Sequence, residues 1–199
     1  MLDTIFRDAG RSGLTEDKPE GAIDSTGLDA THRSSHYAWR LGKRYRMRKW
    51  PKCTLVCETS SHLIASALFT RGPSQDAPWF EPALSEACRR MPIDRLLADG
   101  GYDSEANHVT ARELLGIRST VINVNRRGKR AWPRGRYRRQ MVRRFHRRKY
   151  GQRWQVESVI SRLKRRLGSH LRGRSEPAKE REGLMRIVTH NLMILSQGP

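Results

Sequence analysis

The stretch Tyr150-Gly151-Gln152-Arg153-Trp154-Gln155-Val156-Glu157, continuing as Ser158-Val159-Ile160-Ser161-Arg162-Leu163-Lys164, is the most informative part of the chain. At about 100° per residue, a helix over it gathers Tyr150, Arg153, Glu157 and Lys164 within roughly 60° of one another. Val156, Val159, Ile160, Leu163 and Leu167 form an apolar stripe beside that face, so the helix packs on a core and presents one acid among cations along its edge. Gly168 is a stop signal, and Lys164, Arg165 and Arg166 suit the negative end of the helix dipole. Taken alone, this is a basic amphipathic surface with one solvated glutamate. The segments before it decide what it packs on.

Gly21 to Thr26 is a short strand pattern that carries Asp24. Lys52–Thr59 and Leu63–Thr70 are strand-length runs joined by Ser60-Ser61-His62, which reads as an antiparallel hairpin. Residues 78 to 90 place Trp79, Phe80, Ala83, Leu84 and Ala87 at helical spacing, opened near Pro78. Ile93 to Ala98 is a further apolar run and ends in Asp99. Asp103 or Ser104 caps a helix through Leu115, closed by Gly116, and Arg118–Val124 reads as another strand. Leu184, Ile187, Val188, Leu192 and Leu195 mark a final amphipathic helix after a break at Pro177. The order predicts an α/β fold with a mixed sheet that begins antiparallel. Residues 1–20, poor in apolar side chains after Phe6, read as a flexible tail or linker remnant. Residues 29–51 read as a polar loop or hairpin excursion.

The 199-residue chain carries 40 Lys and Arg against 20 Asp and Glu, a formal net charge of +20. A field of that sign favours a polyanion, and nucleic acid is the obvious one. Half of those cations fall between Arg126 and Arg174, where Glu157 is the only acid. Local low-complexity disorder is one reading of that block, and a folded second half is supported by the stripe through Leu167. Phosphate contacts from Arg and Lys give affinity without reading sequence. Six to ten of them would lose roughly 10³ to 10⁵ in affinity between about 50 and 200 mM salt. Interleaved Trp132, Tyr137 and Phe145 suit either base stacking or core packing. With no long apolar run and no leader pattern, the cytosol is the default compartment. The three cysteines, Cys53, Cys57 and Cys88, read as buried apolar thiols, with Cys53, Leu55 and Cys57 on one side of a strand.

Two aspartates at strand ends and one helical glutamate, brought together, would give hard oxygen ligands for Mg²⁺ or Mn²⁺. Two such ions can activate a water or a 3′-hydroxyl and stabilise the leaving oxygen in an in-line displacement at phosphorus. Three carboxylates about 4 Å apart repel by roughly 4 kcal/mol per pair at an effective dielectric near 20, so metals or flanking cations such as Arg153 and Lys164 would relieve them. Each acid taken singly reads equally as a cap or a surface charge.

Together these residues resemble a family. Tyr150, Arg153, Glu157 and Lys164 match the Y-x2-R-x3-E-x6-K signature of DDE transposases from bacterial insertion sequences. Asp99-Gly100-Gly101-Tyr102 looks like that family's D-x-G-Y motif, and Ile23-Asp24-Ser25-Thr26 like its first-acid strand. The resemblance covers residues 21 to about 196. It implies a ribonuclease H-like catalytic domain over 21–196, with a basic insertion-like segment at 126–149, and Asp24, Asp99 and Glu157 as catalytic ligands of Mg²⁺ or Mn²⁺, expected as two ions. It implies DNA cleavage and strand transfer at transposon ends, acting on double-stranded DNA as a homo-oligomer associated with the nucleoid. Tyr150, Arg153 and Lys164 would contact DNA near the cleaved phosphate, and Trp154 is either a base or sugar neighbour or a core residue. Arg126, Arg127, Arg147, Arg148 and Lys149 extend the DNA-binding set. Members usually carry a DNA-binding region before the first acid, whereas 23 residues precede Asp24 here. The expectation is a separately encoded N-terminal half or a truncated remnant. A nuclease of the same fold without strand transfer, and a non-catalytic basic nucleic-acid-binding module, are the alternatives.

Overall fold

The structure, a computed structural model, describes residues 1–30, 40, 50–125 and 132–198. Among the described residues the alternating segments form five strands: β1 (Glu20–Gly27), β2 (Trp50–Glu58), β3 (Ile64–Gly72), β4 (Arg95–Ala98) and β5 (Ser119–Ile122). They lie in one sheet in the order β3-β2-β1-β4-β5. β1 pairs antiparallel with β2, and β2 with β3, while β4 runs parallel to β1 and to β5. This is the expected mixed α/β sheet, three antiparallel strands and then strands alternating with helices, in the ribonuclease H-like arrangement. The helices are α1 (Leu2–Arg11), α2 (Phe80–Cys88), α3 (Glu105–Val109), α4 (Arg136–Arg143), α5 (Arg147–Tyr150), α6 (Trp154–Leu167) and α7 (Glu176–Leu195).

Successive residues of a strand point to opposite faces, and both faces of this sheet are covered. Ile23, Val56, Leu96, Ala98 and Ile122 face a core closed by Ile5 and Phe6 of α1, Phe80 and Leu84 of α2, and Val188 and Ile194 of α7. Ala22, Leu55, Leu97 and Val121 face the other core, closed by Val156, Val159, Ile160 and Leu163 of α6. The apolar stripe read from the sequence therefore lies on the sheet. Cys53, Leu55 and Cys57 share that second core as expected, and burial pushes the Cys53 thiol up to about 12. Cys88 is half-buried. Helix α7 crosses β3 closely enough that a Cβ at Gly183 would overlap the Phe69 ring. Its buried Asn191 accepts from the Ile64 N–H and donates to the Ile64 carbonyl, each at 2.9 Å, tying the helix to the start of that strand.

Several expectations need correction. Residues 1–20 are not simply a tail: Leu2–Arg11 is helical, and Ile5, Phe6 and Ala9 are buried, because three well-spaced apolar residues suffice where a core is waiting. Pro177 does not break the chain but sits in the first turn of α7, where its missing N–H has no partner to lose, behind an N-cap in which Ser175 accepts from the Ala178 N–H. The basic block is ordered at Arg136–Arg143, anchored by buried Tyr137 and Met141 one turn apart. The helix expected from Tyr150 is divided: Tyr150 ends α5, Gly151–Arg153 is a 3₁₀ turn, and α6 begins at Trp154. It stops at Gly168, whose φ is 88°. Most of 29–51, and Arg126 and Arg127, lie outside the described residues. Among the described residues no helix is long and apolar enough to cross a membrane.

Candidate active site

The parallel pairing of β1 with β4 sets the site. Ile23 stands opposite Ala98, so the next residues, Asp24 in the middle of β1 and Asp99 just past β4, lie side by side where the parallel pairing ends. Ile23 and Ala98 face the first core, which turns both aspartates toward the face covered by α6. Clefts at the carboxyl ends of parallel strands are the usual place for chemistry in open α/β sheets. Each aspartate is oriented locally. Asp24 Oδ1 accepts from the Ser25 N–H at 2.8 Å, and Asp99 Oδ1 from the Gly101 N–H at 2.7 Å. A Cβ at Gly101 would stand 2.9 Å from Asp99 Oδ1 and displace that carboxylate.

Burial, first of all, raises the Asp24 carboxyl to about 6. The Ser25 N–H opposes the shift, Asp99 adds to it, Arg153 opposes it and Glu157 adds to it again. Three carboxylates and one guanidinium thus share an electrostatic neighbourhood. Arg153 is its pivot: Nη1 lies 3.7 Å from Asp24 Oδ2, and Nη2 donates to Glu157 Oε1 at 2.5 Å. Its guanidinium carbon stands 5.8 Å over the Tyr150 ring, which itself packs on Phe145. Glu157 is the more open acid, with its side chain 53% exposed against 20% for Asp24.

The hydroxyl residues after Asp24 fix the surroundings. Thr26 Oγ1 accepts from Lys164 Nζ at 2.6 Å, which brings the last residue of the four-point signature back to β1. Ser25 Oγ shares hydrogen bonds with Thr54 Oγ1 at 2.7 Å and Tyr102 Oη at 2.8 Å. Tyr102 is buried, and burial, with the nearby Asp76, Asp24 and Asp99 charges, pushes its phenol well above the ordinary range.

Asp76 is a residue that sequence reasoning missed. Its Oδ1 lies 2.5 Å from Lys52 Nζ, and its Oδ2 would stand 3.6 Å from a Cβ on Gly101, beside Asp99. It sits between a strand and a 3₁₀ turn in a stretch without periodicity, so nothing in the sequence marks it. Arg138 is another: it holds the buried Asp103, at 2.6 Å, just after the Asp99 motif.

Of the predicted contact residues, Arg153 and Lys164 converge on the acid end, with Tyr150 behind Arg153. Trp154 is 54% exposed, which excludes the core-packing alternative. Arg147, Arg148 and Lys149 are exposed on α5. His190 is buried and bonds the His62 carbonyl at 3.1 Å, a packing role, while His146 is exposed.

A model of the transposase DDE domain family matches residues 15–192. The chain belongs to that family. No curated protein matches it. Among solved structures, a pre-cleavage Mos1 transpososome matches this DDE domain at 12% identity with a TM-score of 0.34, covering 100% of this chain and 60% of that one. A likeness that weak carries no argument.

The donor set of the DDE domain fits a hard divalent cation at Asp24 and Asp99, two carboxylates forced together and mutually repelling. Glu157, the third acid, is engaged by Arg153, and among the described residues no three acid, His or Cys side chains are gathered closely enough to hold one ion.

Proposed function

We propose that this DDE transposase domain cuts and rejoins DNA strands by metal-dependent phosphoryl transfer, with Asp24, Asp99 and Glu157 as the metal-holding carboxylates. The observation that carries the reading is the register Ile23↔Ala98, after which two aspartates follow side by side where the β1–β4 pairing ends, with cations at their rim. Bound there, Mg²⁺ or Mn²⁺, as two ions, would activate a water or 3′-hydroxyl and stabilise the leaving oxygen. Asp24 and Asp99 would hold that charge at fixed positions, and Glu157, turned away from Arg153, would complete the set. Arg153 is then released to a phosphate oxygen, for which its planar fork is suited. Lys164 supports the neighbouring phosphate from Thr26, and Tyr150 backs the guanidinium.

Exposed Arg147, Arg148 and Lys149 carry the backbone beyond the cleaved bond, with Arg126 and Arg127 in the same basic block, and Trp154 lies open to a base or sugar. The partner is double-stranded DNA, at transposon ends and target, handled by a homo-oligomer. The chain with Mg²⁺ or Mn²⁺ should nick DNA and join a 3′-hydroxyl end. Asp24→Ala, Asp99→Ala and Glu157→Ala should each remove both activities and leave DNA binding intact. Nicks without joined product would assign a nuclease, and full activity in Glu157→Ala would overturn the carboxylate set.

A further inference from the structure

We propose that the outer face of α4, together with Arg112, is a second, metal-independent docking groove for the phosphate backbone of duplex DNA. The inference rests on the reading that the domain works on DNA, and it deepens that reading by assigning a contact away from the acids.

At about 100° per residue, Arg136, Arg139 and Arg143 fall within roughly 60° of one another on α4, while Arg138 points to the opposite side. The structure uses the two sides differently. Arg138 is turned inward onto Asp103, whose side chain is fully buried, at 2.6 Å, and onto the Asn125 carbonyl. The outward side lines an open groove of about 560 Å³ with Arg112, Arg136, Arg139, Arg143 and Arg144. Arg112 comes from the π-helical turn Thr110–Leu114 that continues α3, so the cluster is assembled by the fold and is not a run along the chain.

The acids near α4 already have partners. Glu105 accepts from the Tyr137 and Arg138 N–H groups at 2.9 and 3.0 Å, capping the helix start. Glu113 accepts from Tyr137 Oη at 2.7 Å. No carboxylate lines the groove, and among the described residues none of its five arginines is in a salt bridge. The cations are also preorganised. The Arg112 guanidinium stands 4.4 Å over the Tyr137 ring and donates to Gln140 Oε1 at 2.8 Å, and the Arg136 guanidinium stands 5.4 Å over the same ring. Guanidiniums held on a ring lose less freedom when they bind.

The chemistry selects the partner. Arginine forks match phosphate oxygens, and the lining offers no aliphatic side chain for a lipid or an apolar protein surface. Eight residues of helix extend about 12 Å. With one phosphate per roughly 3.4 Å of axis on a strand, that length follows about three successive phosphates. Because Arg138 and Glu105 clamp α4 to the segment after Asp99, a duplex in this groove would lie at a fixed offset from the acids.

The test is binding of a short duplex to the full chain in EDTA, followed by fluorescence anisotropy over a range of salt. Arg112→Gln combined with Arg143→Gln should weaken binding and lower the salt slope by about 1.8, or about 0.9 per lost phosphate contact. Arg11→Gln combined with Arg89→Gln removes the same charge outside the groove and should leave the slope unchanged. Equal effects of the two pairs would overturn the groove. So would unchanged duplex binding in the first pair accompanied by lost binding to phosphatidylserine vesicles. If the first pair melts early, exposed Arg136→Gln with Arg144→Gln replaces it with the same expectation. Mn²⁺ titration of the groove variants should match the parent, so a failed acid site and a failed groove give different results.

Discussion

Asp24 and Asp99 on one side, and Glu157 with Arg153 on the other, serve the same end of the sheet from two kinds of scaffold. The aspartates are fixed by strand register: they cannot separate without breaking the β1–β4 pairing, so their repulsion is built into the fold. Glu157 and Arg153 stand one helical turn apart on flexible side chains, and each can change partner by rotating. The strand pair is a permanent demand for positive charge, and the helix pair is the adjustable part that answers it. Arg153 stands between Asp24 and Glu157, one acid from each pair.

The largest effect should come from the fixed pair. Asp24→Asn and Asp99→Asn should each lower metal-dependent nicking at least about a thousandfold, since several kcal/mol of charge stabilisation depend on each. Quantifying nicked and joined products on a supercoiled plasmid measures it, and a loss under tenfold in either variant would break the comparison.

The support behind the fixed pair comes next. Arg138→Ala leaves the fully buried Asp103 carboxylate without its cation and should cost about 3 kcal/mol in urea unfolding. A variant as stable as the parent would mean that the segment after Asp99 is not held from α4.

Acidity gives a third way in. The Asp24 carboxyl is raised by burial, and then by Asp99, to about 6, above the ordinary aspartate value. A raised acid favours the folded state most when protonated, so its contribution is full below pH about 4 and is lost as pH rises through 6. Asp24→Asn, which keeps Oδ1 as an acceptor for the Ser25 N–H, should therefore be more stable than the parent without added metal at pH 7 by about 3 kcal/mol, with the gap closing at pH 4. Thermal melts across that range in EDTA would show it. Asp94 works with the opposite sign: hydrogen bonding to Arg118 lowers its pKa, so its stabilisation disappears as pH falls through that depressed value.

The adjustable pair should give the smallest change. Glu157 is half exposed, so its bond to Arg153 is worth about 1 kcal/mol or less. Arg153→Gln should tighten Mn²⁺ binding in the absence of DNA by up to about fivefold, read by calorimetry, and weaker binding would show that Arg153 supports the ligand set instead of competing with it.

The sequence makes the strand pair easy to find and the helix pair easy to misjudge. Asp24 and Asp99 end apolar runs, and runs of that kind become paired strands whose register can be reasoned about. Tyr150, Arg153, Glu157 and Lys164 share a spacing, but spacing does not say whether a glutamate meets a metal, water or the arginine one turn before it. It also hides the change from α5 to α6 at Gly151–Arg153. Asp76, Lys52 and Arg112 reach their places through tertiary contacts between distant segments, which no local pattern records. Helix α1 and Pro177 were obscured differently: a sparse apolar face and a proline each suggest disorder or a break until a core or a helix start accommodates them.

The most direct test of the central claim is calorimetric titration of the full chain with Mn²⁺ at pH 7, alongside Asp24→Asn and Asp99→Asn. Saturable binding is expected in the parent, with a loss of at least about a hundredfold in affinity in each variant, because each removes one of the two carboxylates that the register holds together. Binding of equal strength in all three proteins, or no binding in the parent, would contradict that claim.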